Sequence, residues 1–480
     1  MTWPQLPIED LPAWAHLNNI SFTNAKVAIT EAKGYGVVSD KDLKSTAAAP
    51  DVPALLTVPR ELILNAAAVE EYAKEDRNFR RLLDAVGHRS ARADVLLFLL
   101  VQSALASRSG HPPVGVSNPW TEYLKFLPET VLVPTLWTED ERLLLRGTSL
   151  EAAVNAKISA LDAEFGLIRE KSSDIPCWNE LLWEHGSVSF THWIRLDALY
   201  RSRCLELPRS GESLVPCVDM VNHSATPSAY YEESAEDEVV LLLRPGASVS
   251  KGDEITISYG DAKSAAEMLF SYGFIDPHST ADSLVLPLTP FPDDPLAKAK
   301  LVAFGQAPKI HVALGSDGTI RWGSEFAYLM CVNEEDGLEF RILQDTDGGR
   351  QLRVFWRDED VTNRTMDFAT LIQTHPLSAV LRLRVVTVIQ ERLQTQLERM
   401  QSPTTPSSAS SPVQRRDCLD AAKLLREIET NILEHAIEAL EKERSSLLED
   451  ENVVAYLGRM EPADSDLAGE EAANEADDFS

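Results

Sequence analysis

The sequence is poor in cysteine, and the five cysteines that occur are scattered: Cys177, Cys204, Cys217, Cys331 and Cys418. They form no Cys-x-x-Cys pair and are odd in number, which argues against a zinc site and a disulfide framework. A metal centre is therefore not expected. The same pattern favours a reducing compartment, so we expect the cytoplasm, the nucleus or both.

Long hydrophobic runs are also missing. The most apolar stretch, residues 95–105, is too short to span a bilayer and contains Gln102 and Ser103. Residues 1–10 lack the basic run followed by an apolar stretch that marks a secretory signal. We therefore expect no membrane partner and interpret residues 95–105 as a buried helix.

Basic residues are outnumbered, with 45 Lys and Arg against 75 Asp and Glu and a formal net charge of -30. Such a chain repels nucleic acid unless a local basic patch compensates, and no such patch is evident. A basic protein or peptide would be attracted instead. Part of the charge lies in residues 461–480, which we interpret as an acidic disordered tail.

Hydrophobic periodicity divides the chain into segments of different character. Short apolar runs separated by Gly, Asp and Pro predict strands over 20–65 and again over 201–285. Between them, apolar residues recur at helical intervals over 66–200, which predicts a helical insert. Residues 290–460 contain two strong amphipathic patterns, starting near Pro376 and Asp417, and predict a helical C-terminal domain.

Four short segments combine residue types that can carry chemistry. The first two are Lys33-Gly34-Tyr35-Gly36, a turn between predicted strands, and Asp219 to Ser224, which contains Asn222-His223. Glycines let a backbone approach a ligand closely, and the Asn-His pair offers several donors and acceptors. Each segment alone is more often a plain turn than a functional site.

The other two segments end in tyrosine. Gly252 to Gly260 predicts a turn and a strand that closes on Tyr259, and Tyr272-Gly273-Phe274 closes a predicted helix. Tyr272 follows Tyr259 by thirteen residues. Taken singly, these aromatic residues are more often half-buried core than site.

The ordered set of all four segments resembles the SET-domain methyltransferases. It is most similar to the class with a long helical insert, which includes the Rubisco large-subunit lysine methyltransferases and fungal ribosomal-protein relatives. The stretch Trp120 to Pro128, followed by Pro134 and Trp137, resembles the insert of that class, and Ser202-Arg203 its Ser-Arg pair. The resemblance covers about residues 20–280. It implies an α+β, strand-rich SET fold with a threaded C-terminal segment, a helical insert and a helical C-terminal substrate-binding domain.

The resemblance also implies a function, namely methyl transfer from S-adenosyl-L-methionine to a protein lysine. The cofactor-binding residues would be Lys33, Gly34, Tyr35, Gly36, Arg203, Asn222, His223 and Phe274. Arg203, Asp219 and Tyr272 would contact the substrate, and Tyr259 would be the catalytic residue. Arg203 could instead form an ion pair with Asp219 that only braces the fold. The loop 225–237 departs from the class, so Tyr230 and Tyr231 are candidates only.

The substrate expected from the class and from the acidic balance is a basic, non-histone protein, with ribosomal or translation proteins favoured. We expect a monomer without a direct nucleic-acid partner. Two alternatives stay open, a protein-histidine methyltransferase of the same fold and a non-catalytic SET module that binds peptides. The sequence does not identify the target residue, the number of methyl groups added or the oligomeric state.

Overall fold

A computed structural model describes residues 5–30, 33–45, 54–107, 118–184, 188–279, 281–315, 317–344, 349–402 and 415–460. The predicted acidic tail at 461–480 lies outside these residues. The described residues group into two compact units. Unit 1 contains the described parts of Met1–Ala281 and Pro403–Arg426, and unit 2 those of Asp282–Ser402 and Glu427–Ser480.

The strands of unit 1 are short and pair in small antiparallel sheets. They are β1 (Ser21–Phe22), β2 (Ala25–Thr30), β3 (Gly34–Ser39), β4 (Leu43–Lys44), β5 (Leu56–Val58), β6 (Leu205–Leu207), β7 (Gly211–Ser213), β8 (Ala229–Glu233), β9 (Val239–Leu243), β10 (Ser248–Val249) and β11 (Glu254–Ile255). The sheet orders are β1-β5-β9-β8, β11-β3-β2, β10-β4 and β6-β7. In β9, burial alternates along Val-Val-Leu-Leu-Leu, as expected for a strand with one face on the core.

The helices of unit 1 lie mainly in the insert, as the periodicity predicted. They are α1 (Leu11–Leu17), α2 (Ala66–Glu75), α3 (Arg77–Val86), α4 (Ala91–Ala106), α5 (Pro119–Tyr123), α6 (Glu139–Arg142), α7 (Leu150–Ser173), α8 (Pro176–Trp178), α9 (Phe190–Arg203) and α10 (Ala265–Tyr272). A π-helical turn, Asn179–Glu184, follows α8. Most of α4 is buried, which agrees with the interpretation of residues 95–105 as a core helix. One continuous core joins these helices to the sheets.

Unit 2 contains the two long helices that the sequence predicted, with four shorter ones: α11 (Ala297–Phe304), α12 (Glu325–Met330), α13 (Phe368–Leu371), α14 (Ser378–Gln401), α15 (Arg416–Leu448) and α16 (Glu451–Met460). The first residues of α15 group with unit 1 and the rest with unit 2. The apolar stripes of α14 and α15 are buried in a core of their own, which includes Val386, Ile389, Ile432 and Ala436.

The helical C-terminal region is thus confirmed, but unit 2 also has two three-stranded antiparallel sheets that the sequence analysis missed. Their strands are β12 (Ser283–Pro287), β13 (Lys309–Leu314), β14 (Ile320–Gly323), β15 (Leu338–Gln344), β16 (Arg350–Trp356) and β17 (Glu359–Asp360). β15 begins with a regular alternation of apolar and charged residues from Leu338 to Ile342, which is a strand signal that the sequence analysis overlooked.

Within the part of the chain that the structure describes, no helix combines the length and apolar character needed to cross a membrane.

Candidate active site

The glycine turn meets the Asn-His segment through a shared carboxylate. The Asn222 Nδ2 atom donates to the Tyr35 carbonyl oxygen at 3.1 Å and to Glu254 Oε1 at 2.7 Å. The Lys33 ammonium donates to Glu254 Oε2 at 3.2 Å and to the His223 carbonyl oxygen at 2.9 Å. Glu254 reaches this position because β11 pairs with β3, which places Glu254 opposite Val38.

Gly36 is required at this junction. A Cβ atom added there would lie 2.6 Å from Glu254 Oε1, 2.8 Å from Asn222 Nδ2 and 2.9 Å from Thr30 Cγ2. Such separations are well inside van der Waals contact, so any larger residue would push the Asn222 and Glu254 side chains apart. At Gly34 the reason for glycine is conformational. Its φ of 76° lies in the left-handed region, which glycine adopts without strain.

The segment that carries Tyr259 passes directly beside the Asn222-His223 segment. Ile257 and His223 form a parallel bridge, in which the Ile257 amide donates to the Asn222 carbonyl oxygen at 3.0 Å. Two residues on, the Tyr259 hydroxyl donates to the Val221 carbonyl oxygen at 2.9 Å. The structure therefore places Tyr259 beside the Asn222-His223 segment, and Asn222 in turn contacts the glycine turn.

The imidazole of His223 holds the loop of Tyr259 in place. Its Nδ1 atom accepts from the Tyr259 amide at 3.1 Å, which fixes the ring proton on Nε2, 3.1 Å from Asp276 Oδ2. His223 is 9% exposed, and both its ring nitrogens are engaged within the protein. Its backbone carbonyl is the group that faces Lys33. Asp276 was missed in the sequence, although it follows the Tyr272-Gly273-Phe274 motif by two residues.

Tyr259, Tyr272, Phe274 and His223 form an aromatic cluster. The ring centroids of Tyr259 and Tyr272 lie 4.6 Å apart, and those of Tyr259 and His223 lie 5.3 Å apart. The Phe274 ring is 6.4 Å from Tyr259, although its side chain is 37% exposed. The Tyr272 hydroxyl donates to the Tyr259 carbonyl oxygen at 3.3 Å.

Helix α10 presents Tyr272 to this cluster, and both ends of the helix are well defined. Ser264 and Glu267 form a capping box at the start. Gly273 ends the helix with a φ of 84°, and an added Cβ there would lie 2.8 Å from the Leu132 backbone. The glycine between Tyr272 and Phe274 is thus needed for both conformation and packing.

A cavity of about 490 Å³ opens beside the aromatic cluster. Its lining includes Arg203, Val221, Tyr231, Tyr259 and Tyr272. Tyr231, left open in the sequence analysis, lines this cavity, whereas Tyr230 on the same strand is not among its lining residues. Burial raises the pKa of Tyr272 to about 12 and raises the pKa of Tyr259 further, so both phenols are protonated at neutral pH.

Arg203 and Asp219 also line the cavity, and they form the ion pair considered in the sequence analysis. Arg203 Nη1 lies 2.9 Å from the Asp219 carbonyl oxygen and 3.4 Å from its Oδ2 atom. The hydroxyl of Tyr123, in the insert motif, donates to Asp219 Oδ1 at 2.5 Å and accepts from the Cys217 amide at 2.8 Å. Burial raises the pKa of Asp219, whereas the Arg203 charge acts to lower it. Tyr123 was not recognised as part of this network.

No group of three or more His, Cys, Asp or Glu residues suited to a metal ion occurs among the described residues.

The architecture and this arrangement of residues agree with the SET fold that the motifs predicted. No protein-family model matches the chain. In sequence it is 29% identical over 381 residues to SET domain-containing protein 8 of Schizosaccharomyces pombe, covering 77% of this chain and 84% of that one. It is 26% identical over 312 residues to the Rubisco large-subunit N-methyltransferase of Pisum sativum, covering 61% and 58%.

A shorter match, 26% identical over 187 residues, is to the ribosomal lysine N-methyltransferase set10 of Schizosaccharomyces pombe, covering 38% of this chain and 32% of that one. Among solved structures, the SET domain of LSMT bound to lysine and AdoHcy superposes with a TM-score of 0.67 at 21% identity, covering 97% of this chain and 96% of that one. LSMT bound to AdoMet gives a TM-score of 0.66 at 20% identity, covering 97% and 98%. The structural matches show that the chain has the fold of the SET domain of LSMT, and the sequence relatives agree with the class that the motifs resemble, the SET-domain methyltransferases that include the Rubisco large-subunit enzymes.

Proposed function

We propose that this chain is an S-adenosyl-L-methionine-dependent protein-lysine N-methyltransferase that acts on a non-histone protein. The observation that carries the proposal is the position of Tyr259. Its hydroxyl is tied to Val221, next to the Asn222-His223 segment, and its ring stacks on Tyr272 at the wall of the cavity. One residue thus joins the predicted cofactor groups to the predicted lysine channel.

The polar groups around the glycine turn suit this cofactor, which carries an ammonium, a carboxylate and an adenine amino group. Lys33 offers a cation, Glu254 a carboxylate and His223 a backbone carbonyl. The nitrogen of the Asn222 amide is used by Tyr35 and Glu254, and its oxygen is an acceptor. We assign cofactor binding to the predicted residues Lys33, Gly34, Tyr35, Gly36, Arg203, Asn222, His223 and Phe274.

The bound cofactor supplies a methyl group on a positively charged sulfur. The protein must present a neutral amine to it, and a free lysine of pKa about 10.4 pays about 4.6 kcal/mol to be neutral at pH 7. The rings of Tyr259, Tyr272 and Tyr231 line the cavity. An aromatic, poorly hydrated channel disfavours the ammonium form and thus lowers that cost.

Tyr259 orients the amine rather than deprotonating it. Because its hydroxyl proton is donated to the Val221 carbonyl, the oxygen lone pairs are the groups that can accept an amine N–H. Burial raises the pKa of Tyr259 above its usual value, so the phenol does not serve as a base at neutral pH. The benefit is alignment of the reacting atoms, and the amine proton leaves to water.

Arg203 and Asp219 are part of the cavity wall and stabilise it through their ion pair. The Asp219 side chain is 2% exposed, and its carboxylate is shared by Arg203 and Tyr123. The buried ion pair braces the segment that leads to Val221. Because both residues line the cavity, we keep Arg203 as a candidate for cofactor and substrate contact and Asp219 as a candidate for substrate contact, and their ion pair also positions that segment.

The substrate we propose is a basic protein, with ribosomal or translation proteins favoured. The net charge of -30 would attract such a protein electrostatically. The similarity to the ribosomal lysine methyltransferase set10 supports the same choice. We further propose that the protein acts as a monomer in the cytoplasm, the nucleus or both.

The test is transfer of labelled methyl groups from S-adenosylmethionine to proteins of a ribosome-rich lysate, compared between the wild type and Tyr259→Phe. A labelled band that disappears in the variant supports the proposal, and digestion of that band shows whether lysine or histidine is modified. Calorimetric titration with S-adenosylmethionine is run alongside. A chain that binds no cofactor and labels no protein would instead be the non-catalytic peptide-binding module.

A further inference from the structure

One buried residue of the turn before the Asn222-His223 segment has a backbone conformation that is unusual for its type. Cys217 has a φ of 68° and is fully buried. Six residues other than glycine have a positive φ in the part of the chain that the structure describes, and the other five are all at least partly exposed. A residue with a Cβ atom disfavours this conformation, so neighbouring groups must hold the turn in place.

The hydroxyl of Tyr123 holds this turn. It accepts from the Cys217 amide at 2.8 Å and donates to Asp219 Oδ1 at 2.5 Å, so one oxygen atom bridges the two ends of the strained step. Burial raises the pKa of Tyr123 well above its usual value, and the nearby Asp219 charge acts in the same direction. The hydroxyl is therefore protonated at neutral pH and remains a donor.

The ring of Tyr123 is fixed independently of these two hydrogen bonds. Its centroid lies 4.9 Å from that of Trp14 on α1 and 5.3 Å from that of Trp120 on α5, and the Tyr123 side chain is fully buried. Trp120 Nε1 in turn donates to the Leu62 carbonyl oxygen at 3.2 Å. Because aromatic packing sets the position of the ring, the hydroxyl is a fixed point against which the turn is held.

The turn that Tyr123 holds forms part of the cavity wall. Three of its residues, Val218, Asp219 and Val221, line the cavity, whereas Tyr123 does not. The Val221 amide donates to the Val218 carbonyl oxygen at 3.0 Å, and the Val221 carbonyl oxygen accepts from the Tyr259 hydroxyl at 2.9 Å. A displacement at the start of the turn would therefore move the acceptor that fixes Tyr259.

We propose that Tyr123 is a positioning residue for methyl transfer, which acts from the insert through the turn at 217–221 on the hydroxyl of Tyr259. The proposal rests on the proposed function and adds to it a residue that does not itself line the cavity. The chain of contacts is short, because Val221 lies only two residues after Asp219, which Tyr123 contacts directly. The helical insert thereby helps to align the catalytic tyrosine.

The variant Tyr123→Phe removes the hydroxyl and keeps the ring. The Cys217 amide and the Asp219 carboxylate each lose a partner, so the turn can shift and carry the Val221 carbonyl with it. We expect the initial rate of methyl transfer from labelled S-adenosylmethionine to the ribosome-rich lysate to fall by about tenfold, because small misplacements of an aligning group reduce rates strongly. Calorimetric affinity for the cofactor should stay unchanged, since the glycine turn and its contacts are kept.

Tyr72→Phe is the matched control. Tyr72 is also a buried tyrosine of the insert, and its hydroxyl donates to Asp76 Oδ2 at 3.3 Å, but neither residue lines the cavity. A general effect of losing a buried hydroxyl would appear in both variants, and urea unfolding measures it. We expect Tyr72→Phe to transfer methyl groups at the rate of the wild type. An unchanged rate for Tyr123→Phe, or an equal loss of rate in both variants, would overturn the proposal.

A second substitution tests whether the effect passes through the turn. Glycine adopts a φ of 68° without strain, so Cys217→Gly should make the turn less dependent on the hydroxyl. We expect Cys217→Gly in the Tyr123→Phe background to recover about threefold of the lost rate. Cys217→Ala in the same background removes the sulfur but keeps the Cβ atom, and it should recover nothing. A glycine variant no faster than the alanine variant would refute the role of the turn.

The last measurement does not depend on catalysis. In protein that carries carbon-13 at the tyrosine Cζ atoms, the Tyr259 resonance is identified by its absence from Tyr259→Phe, and it reports on the hydrogen bond to Val221. We expect this resonance to shift in Tyr123→Phe and to stay in place in Tyr72→Phe. An unchanged resonance would overturn the proposal. A shifted resonance in a chain whose wild type transfers no methyl group would instead refute the proposed function and leave the link from Tyr123 to Tyr259 intact.

Discussion

The hydroxyl of Tyr259 donates a hydrogen bond to the carbonyl oxygen of Val221 at 2.9 Å, across 38 residues of sequence. This bond fixes the side chain of the proposed catalytic tyrosine against the backbone that leads into Asn222-His223. It also determines the chemical character of the oxygen, which is left as an acceptor. Removal of that one oxygen atom is the most direct test of the site.

We expect Tyr259→Phe to reduce the rate of methyl transfer by about 100-fold, because the amine loses the group that aligns it. Cofactor affinity should change little, since the ring and its stacking on Tyr272 are kept. Single-turnover kinetics and calorimetric titration separate these effects. Tyr230→Phe, on the same strand as Tyr231 but not among the residues that line the cavity, serves as the matched control.

The pH dependence of kcat/KM should reflect the ionisation of the substrate amine and not that of the tyrosines. We expect kcat/KM to rise with pH, by about tenfold per unit below the pKa of the amine, as the neutral form becomes available. Burial raises the pKa of Tyr272 to about 12, so ionisation of this tyrosine should cause no fall in rate below about pH 10. A falling limb between pH 8 and 10 that Tyr272→Phe removes would contradict this assignment.

Gly36→Ala should disturb the cofactor site without unfolding the chain. Its Cβ would lie 2.6 Å from Glu254 Oε1 and 2.8 Å from Asn222 Nδ2, so both side chains must move. We expect cofactor affinity to fall by about tenfold, an amount typical of one lost polar contact. Gly323→Ala is the control, since nothing lies within 4 Å of the added atom there. Equal affinities of the two variants would exclude the junction at Gly36 from cofactor binding.

Glu254 should contribute to cofactor binding through its hydrogen bond from Asn222 and its ion pair with Lys33, and the hydrogen bond should contribute more. Glu254→Gln keeps an acceptor for Asn222 but loses the ion pair with Lys33, which is 43% exposed and therefore weak. Glu254→Ala loses both contacts. We expect cofactor affinity to decrease slightly in the first variant and by about tenfold in the second. The titration is repeated with Glu232→Gln, an exposed residue of β8, which should match the wild type.

Glu141 should contribute to acid stability. Two hydrogen-bonded contacts to Arg415, at 2.9 and 2.7 Å, hold the pKa of this carboxyl at about 2. Its unfolded pKa is about 4.3, so the stabilisation is present above that pH and is lost as pH falls toward 2.

We expect Glu141→Gln to lower the free energy of unfolding by about 2 kcal/mol at pH 7, with a smaller difference at pH 3, because the pair is only partly shielded from water. Urea unfolding at both pH values measures this. The control is Glu438→Gln, at an exposed carboxylate paired with Lys442. A difference between wild type and Glu141→Gln that does not shrink on acidification would contradict the assigned pKa.

Local signals in the sequence were sufficient for much of the fold. Apolar periodicity found the insert helices and the long helices α14 and α15, because an amphipathic helix repeats its pattern over many residues. The ends of α10 were also readable, with Ser264 before the helix and Gly273 after it. The strands of unit 2 were not found, although β15 alternates apolar and charged residues from Leu338 to Ile342, because such a pattern extends over far fewer residues than the repeat of a long helix.

The motifs likewise gave the order of the candidate site residues along the chain, but they did not show which of these residues touch one another. The spacing of Tyr259 and Tyr272 was visible in the sequence, whereas the partners of Asp219 were not. Tyr123 reaches Asp219 from 96 residues away, in the insert.

The sequence by itself therefore determined the order of the motifs and the sign of the charge and predicted the class of protein, because these depend on residue type and near spacing. Only the tertiary structure decided that Glu254 joins Lys33 to Asn222, that His223 braces the loop of Tyr259, and that Tyr123 of the insert holds the turn at Cys217. Each of these features depends on side chains that are distant in sequence and that strand pairing or helix packing brings into contact. No local pattern in the sequence predicts such contacts.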